Sequence, residues 1–316
     1  MTADVWLLWG TVPPYERPAS DVRAALAEAF AGTFGDRCRI VESADLRIGF
    51  RAGSPTLHDR SGESVEPPKV VHHRFPRIVT DQSILLHHLQ LMGSELLNDA
   101  AASVLAENKF WQLQRLALAG LPFPDTASYV DADVRDVVDD PQLPEPCVVK
   151  EVRSANGRGV FLAPDLSGLK DMAGCLRADA PYLFQNYLAT TRGRHLRVTV
   201  LDHTPIAAAV RTSAGTFKSN IAQGATQQRV LGRYPAAEDM AVRATEAVGL
   251  NCAGVDLLFV TDEDFVICEV NQQGGWVPKE FPEIGPAIAT ACAKRLAAQQ
   301  PRHDASTGSE TGVASR

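Results

Sequence analysis

At 316 residues the chain is too long for one small core, and two or three packed units are the expectation. A 45% hydrophobic and 22% charged composition is that of an ordinary soluble globular protein, and no apolar run approaches the roughly 20 residues of a membrane span. The net charge of −7 argues against a nucleic-acid footprint, and the start Met1-Thr2-Ala3-Asp4-Val5-Trp6 lacks the pattern of a secretory signal, so a cytoplasmic protein is expected.

Residues 5–9 read as a first buried strand, followed by a Pro-rich loop and a helix over 20–30. Strands are expected over 39–43, 47–50 and 70–75, with the Gly, Ser, Pro and charge of 53–69 forming a loop. A helix over 83–92 follows an Asp-x-Ser start. This alternation predicts a small open α/β domain over the first hundred residues. Asn108 is placed to cap a helix through 119, stopped by Gly120-Leu121-Pro122. A strand over 147–152 runs into the loop Ser154-Ala155-Asn156-Gly157-Arg158-Gly159. Strands over 182–188, 195–201 and 205–211 come next, then a helix over 240–248 ended by Gly249. A hairpin and a helix over 286–298 close the ordered part, and the Ser/Thr/Gly/Asp-rich tail from Pro301 is expected to be disordered. The six cysteines (38, 147, 175, 252, 268, 292) have no close pair spacing and read as buried free thiols. The doublets His72-His73 and His87-His88 read as packing or surface residues, because adjacent side chains diverge.

The hairpin carries the first chemical signal. Its strands, 253–260 and 265–271, are joined by the acidic turn Thr261-Asp262-Glu263-Asp264. A four-residue turn pairs 260 with 265, 258 with 267, and 256 with 269. Asp256 then faces Glu269 with Cβ atoms about 4.5–5.5 Å apart, and Asn271 points the same way. Both strand faces read apolar, so either one acid is protonated or a cation sits between them. Two carboxylates and an amide oxygen suit Mg2+, which takes its other ligands from water and phosphate. Upstream, Lys150 alternates with Val148 and Val152 and ends its strand beside the glycine loop. Alone, such a lysine snorkels to the surface and such a loop is only a turn. Gly157 and Gly159, however, let backbone N–H groups approach a phosphate, and Arg158 adds charge. With the acidic hairpin downstream, a nucleoside triphosphate is the economical ligand.

Four stretches then fall in a specific order. The first is Glu95-Leu96-Leu97-Asn98 followed by residues 107–124, and the second is Val148-Val149-Lys150 with its glycine loop. The third is Gln185-Asn186-Tyr187-Leu188 with Gly193-Arg194-His195-Leu196-Arg197-Val198. The last joins Lys218-Ser219-Asn220 to Gly254-Val255-Asp256-Leu257-Leu258 and Cys268-Glu269-Val270-Asn271. Together, over about 76–298, they resemble the ATP-grasp carboxylate–amine ligases of the RimK-like branch.

The resemblance implies an α/β (α+β) ATP-grasp fold behind a small N-terminal open α/β domain. The division would be 1–98 for the N-terminal domain, 99–185 for the lid subdomain, 186–299 for the subdomain with the Mg2+ site, and 300–316 for the tail. Lys109 and Lys150 would touch ATP phosphates, with Lys150 also near the adenine. Gln185 and the backbone of Asn186 and Leu188 would hydrogen-bond the adenine. Asp256, Glu269 and Asn271 would hold one or two Mg2+ ions, with Mn2+ as a substitute, and Arg197 and Asn220 would face the reacting carboxylate and γ-phosphate. Arg211 stays open: a four-residue turn at 201–204 sets it opposite Arg194 and off the face of Arg197. The implied reaction joins a small-molecule or peptide carboxylate to an amine through an acyl phosphate, releasing ADP, in specialised-metabolite or peptide biosynthesis. A tailoring ligase for ribosomal peptides and a non-catalytic ATP-binding regulator are the alternatives, and a homo-oligomer is compatible with either. Three departures touch the substrate side. They are His195 where relatives often carry an acid, Gln223 where many carry Arg, and the segment Gln272-Gln273-Gly274-Gly275-Trp276.

Overall fold

A computed structural model describes residues 3–11, 20–75, 80–154, 157–191, 193–213, 215–219, 221 and 224–299. The expected disordered tail, and the candidates Asn220 and Gln223, lie outside the described residues.

The chain opens with β1 (Val5–Trp9), α1 (Ser20–Phe34), β2 (Cys38–Glu42), β3 (Leu46–Arg51), β4 (Ser54–Asp59), β5 (Val70–Arg74), α2 (Thr80–Leu91) and β6 (Glu95–Leu97). The four strands β2-β1-β5-β6 form a parallel sheet. Every residue of β1 and β5 is buried, as expected for strands covered on both faces. The region expected to be a loop over 53–69 instead contains β4, paired antiparallel with β3. Ala52 and Gly53 both adopt positive φ, 49° and 81°, which matches a two-residue turn to the twist of the flanking strands.

Next come α3 (Ala100–Ala106), α4 (Lys109–Leu118), β7 (Thr126–Ser128), α5 (Val134–Val137), β8 (Cys147–Glu151), β9 (Val160–Ala163), α6 (Leu166–Ala173) and β10 (Tyr182–Asn186). The sheet β7-β10-β8-β9 has its own core, where Cys147, Val149 and Phe184 meet Val134 of α5 and Leu169 of α6. Alternation along β8 therefore turns Val148 and Lys150 to the opposite face.

The last part holds β11 (Arg194–Leu201), β12 (Thr204–Thr212), β13 (Thr226–Arg229), α7 (Pro235–Val248), β14 (Cys252–Phe259), β15 (Phe265–Asn271) and α8 (Ile284–Ala298). The antiparallel sheet β13-β12-β11-β14-β15 buries Leu196, Val198, Val255, Leu257 and Ile267 against Leu113 and Leu116 of α4 and Ala241 and Ala244 of α7. Its other face carries Arg197, Asp256 and Glu269, while Ala207 and Ala209 of β12 on that face join a second core. α8 returns to the first sheet, where Ile288 and Cys292 share a core with Phe30 of α1 and Val5 and Leu7 of β1. Asn98 joins the first and third sheets. Its Oδ1 accepts from the N–H of Asn251 (2.8 Å) and Cys252 (2.6 Å), and its Nδ2 donates to the Cys252 carbonyl (2.7 Å).

Two irregularities correct the expected registers. In the acidic hairpin Phe259, not Val260, pairs with Phe265, and Leu257, not Leu258, pairs with Ile267. The ladder then skips Cys268, and this bulge returns Asp256 to its expected partner Glu269. Between β11 and β12 the ladder skips Ile206, so Arg211 pairs with His195 rather than Arg194. That single step brings Arg211 onto the face of Arg197.

The cysteines are all free; Cys147, Cys252 and Cys292 are buried, Cys38 and Cys268 partly so, and Cys175 is exposed. His72, His73 and His88 are buried packing residues, and His87 is exposed. Among the described residues no helix is long and apolar enough to cross a membrane.

Candidate active site

The polar face of the third sheet sets Arg197, Asp256 and Glu269 in one row, because Arg197 pairs with Asp256 and Asp256 with Glu269 across β11, β14 and β15. Asp256 is 7% exposed, whereas Glu269 is only half-buried. Arg197 Nη1 lies 3.2 Å from Asp256 Oδ2, and His195 Nε2 lies 3.1 Å from Oδ1. Burial would raise the Asp256 carboxyl, but Arg197, His195 and Arg211 outweigh it and hold the group well below the usual carboxylate range. Asp256 is thus held in its charged form. A cation does stand at Asp256, and it is an arginine from the neighbouring strand. Gly254 makes room for it: a Cβ there would meet Arg197 Nη1 at 2.8 Å, and the Gly254 carbonyl accepts from the same nitrogen at 2.9 Å. Asn271 Nδ2 donates to Asp256 Oδ2 (3.2 Å) and Glu269 Oε1 (3.1 Å).

This donor set fits a hard divalent cation. Asp256 Oδ1 is buried, with His195 Nε2 as its ion-pair partner. Among the described residues no three His, Cys, Asp or Glu side chains close a cage. An incomplete set of carboxylates is what Mg2+ needs when phosphates and water supply its remaining ligands. Asn271 turns its NH2 toward the acids, so ligation through its oxygen requires the amide reversed.

Lysines face the acids. Lys150 Nζ donates to Gln185 Oε1 at 2.6 Å and stands 3.5 Å from Cys268 Sγ. Gln185 Nε2 donates in turn to Thr126 Oγ1 at 2.9 Å, so both ends of that amide are engaged in holding Lys150. Lys109 opens α4, whose N-cap Asn108 accepts from the N–H of Phe110 and Trp111. Its Nζ donates to the carbonyl of Ser154 and reaches the Ser154 hydroxyl at 3.3 Å. Burial pulls the Lys109 ammonium below its usual range, with Lys150 adding to the effect and Glu269 opposing it.

Lys109, Lys150, Asp256 and Glu269 share one cleft open to solvent, which Arg197 and Asn271 do not line. Of the residues predicted from the sequence, Lys109, Lys150, Gly157, Gln185, Asn186, Leu188, Asp256 and Glu269 line it. Arg158 is exposed on the loop and does not line the cleft. Gly159 adopts a φ of +59°, and a Cβ there would meet the Glu151 side chain at 3.0 Å, so this glycine serves the loop's return. The Asn186 N–H is already given to the Asp125 carbonyl (2.9 Å). Arg211 is buried beside Arg197, with Nε 3.2 Å from Gln227 Oε1 and Nη2 3.2 Å from the Gly275 carbonyl. Burial, and then Arg197, lower its guanidinium to about 10. Sequence reasoning gave no role to Lys218 or Phe217, which also line the cleft. Lys218 Nζ donates to the Gly157 carbonyl at 2.9 Å, tying the glycine loop to the third sheet's side of the cleft. Its place beside Ser219-Asn220 was the available signal.

Known proteins resemble this chain in sequence and in fold. Over 237 residues the chain is 35% identical to beta-citrylglutamate synthase B of Danio rerio, a match covering 74% of this chain and 57% of that protein. With N-acetylaspartylglutamate synthase A of Mus musculus it shares 31% identity over 291 residues, 88% of this chain and 74% of that one. The chain thus spans little more than half the length of the first of these relatives. A crystal structure of a RimK domain ATP-grasp protein from Sphaerobacter thermophilus has the same fold, with a TM-score of 0.67 over 92% of this chain and 98% of that one at 19% identity. The RimK-like ATP-grasp domain model matches residues 106–291, a stretch that carries both lysines and the whole acidic row, and the chain belongs to that family.

Proposed function

We propose that the protein is an ATP-dependent carboxylate–amine ligase. The γ-phosphoryl group of ATP passes to a carboxylate, giving an acyl phosphate and ADP, and an amine then displaces phosphate to form an amide. The observation that carries this reading is the acidic pair Asp256–Glu269, with Arg197 behind Asp256, facing Lys109 and Lys150 in one cleft. Mg2+, or Mn2+ in its place, held by Asp256, Glu269 and Asn271, would neutralise charge on the phosphate oxygens. Lys109 and Lys150 hold the phosphates, with Lys150 aimed by Gln185. The adenine lies against the backbone around Asn186 and Leu188, though not on the Asn186 N–H, which is already committed. The loop at Gly157, which lines the cleft, covers the phosphates and keeps water from the acyl phosphate; Arg158, expected there from the sequence, stands outside the cleft. Arg197, Arg211 and Asn220 orient the acid; alignment and charge neutralisation, not covalent chemistry, supply the rate.

The relatives make beta-citrylglutamate and N-acetylaspartylglutamate, which supports a multiply charged acid and an amino-acid amine such as glutamate as this chain's substrates. Arg211, which is buried, and Arg197, whose side chain is 11% exposed, suit an anionic substrate. ADP release with ATP and Mg2+ is to be measured against citrate, N-acetylaspartate, free amino acids and short peptides, each with and without glutamate. Release that requires one acid and one amine is the expected result; release with neither removes the ligase reading. Glu269→Gln is expected to lower ADP formation by about 10³-fold or more while the circular dichroism spectrum stays unchanged. Wild-type turnover in that variant would remove the metal assignment.

A further inference from the structure

Resting on the acid side just proposed, we infer that Arg74 binds a second, non-reacting carboxylate of the acid substrate, so that the acid is a di- or tricarboxylate.

Arg74 ends β5, and Trp9, its partner across the ladder, ends β1. Both stand at the C-terminal edge of a parallel sheet, where open α/β sheets bind their ligands. Alternation from Val70 turns Arg74 toward the core that Val70 and Trp9 share with Trp276 and with Ala207 and Ala209 of β12. Arg211 follows two residues along β12 on that same face. The segment after β15 links the two arginines. Arg211 Nη2 donates to the Gly275 carbonyl at 3.2 Å, and the Arg74 guanidinium carbon lies 5.4 Å from the centre of the Trp276 ring.

What sets Arg74 apart is its lack of a counter-ion. It is 7% exposed, and among the described residues no carboxylate forms an ion pair with it. Its Nε is buried without a hydrogen-bond partner, as are Trp9 Nε1 beside it and Nε2 of Gln227, whose Oε1 holds Arg211. All three unpartnered atoms are N–H donors, and donors without an acceptor suit an anion. Burial also lowers the Arg74 guanidinium to about 10, the penalty of a charge that nothing in its surroundings offsets. A planar guanidinium meets a carboxylate through two parallel N–H bonds. Arg197 and Arg211 then hold the carboxylate that reacts, and Arg74, from the first sheet, holds another carboxylate of the same acid.

The experiment titrates the full chain, with Mg2+ and ADP present, with acids matched by structure. N-acetylaspartate is set against N-acetylalanine, glutarate against butyrate, and citrate against 3-hydroxybutyrate. Tryptophan fluorescence reads binding, because Trp9 and Trp276 flank Arg74. At least one polycarboxylate is expected to bind about tenfold or more tightly than its monocarboxylate match. Arg74→Met should abolish that preference, Arg74→Lys should keep part of it, and neither should change the affinity for monocarboxylates. Without an acid present, Arg74→Met is expected to unfold at no lower temperature than the wild type, since it removes a buried unpaired charge. No polycarboxylate preference in the wild type overturns the inference, whether or not the variants fold. An undiminished preference in folded Arg74→Met overturns it as well. ADP release supported equally by a monocarboxylate and its polycarboxylate match overturns it and leaves the ligase reading standing. Arg74-dependent binding without ADP release for any amine removes the ligase reading instead and keeps Arg74 as the polycarboxylate site.

Discussion

Asp256 is the residue on which the site turns, and its neighbours explain how a buried carboxylate stays charged. Arg197 neutralises it from the neighbouring strand, His195 of that same strand stands 3.1 Å from its other oxygen, and Asn271 bridges it to Glu269. The contact between Arg197 and Asp256 joins positions far apart in sequence, so no local pattern could have announced it. Gly254 is the smallest part of this device. Gly254→Ala is expected to push the Arg197 guanidinium off Asp256 and lower kcat/KM by about 10²-fold, since small misplacements near reacting groups cost that much. Thermal unfolding of the variant should change little by comparison. Unchanged kcat/KM would mean that Arg197 finds another pose with the same effect.

At the scale of the element, β5 makes a prediction about pH. Burial holds His73 at about 4 and His72 well below its usual value. The folded state therefore keeps both neutral, whereas an unfolded histidine takes up a proton near 6.5. Below that point the unfolded chain binds more protons, so stability falls as the pH drops from 6.5, and the His73 share of the loss is complete by about pH 4. Each histidine contributes a slope of up to about 1.4 kcal/mol per pH unit. Urea unfolding between pH 7 and 4.5 should reveal this slope, and His73→Gln should flatten it; an equally steep slope in that variant would place the titration elsewhere. The elements also mark what was legible. β1, α4 and its Asn108 cap were plain in the sequence, because local periodicity and capping decide them. β4 was hidden by Pro55 and by the charges that an exposed edge hairpin tolerates. The pairing of Asp256 with Glu269 was read correctly by an incorrect route: the turn is one residue longer than expected, and the skip at Cys268 undoes the error. Arg211 had no second step to rescue it, and the skip at Ile206 moved it to the face the sequence had denied it.

Across the whole molecule, the site depends on how three sheets are held together. Asn98 carries one of those joints through three hydrogen bonds to the backbone of Asn251 and Cys252. Asn98→Ala leaves buried backbone groups of β14 unpaired and is expected to cost about 2–4 kcal/mol of unfolding free energy. Denaturant titration checks this, and a loss under about 0.5 kcal/mol would mean that water replaces the amide. The other joint is α8, which comes from the far end of the described chain to complete the core of α1 and β1. That arrangement has a temporal side. As the chain leaves the ribosome, the first strand and helix emerge early, yet the surface that shields them is not made until residues 284–298 follow. That segment must wait with an apolar face uncovered while the residues of the cleft are synthesised. Its exposure to premature association is greatest at that stage, and anything that shortens the chain before α8 would leave the cleft's residues in place and the first sheet without its cover.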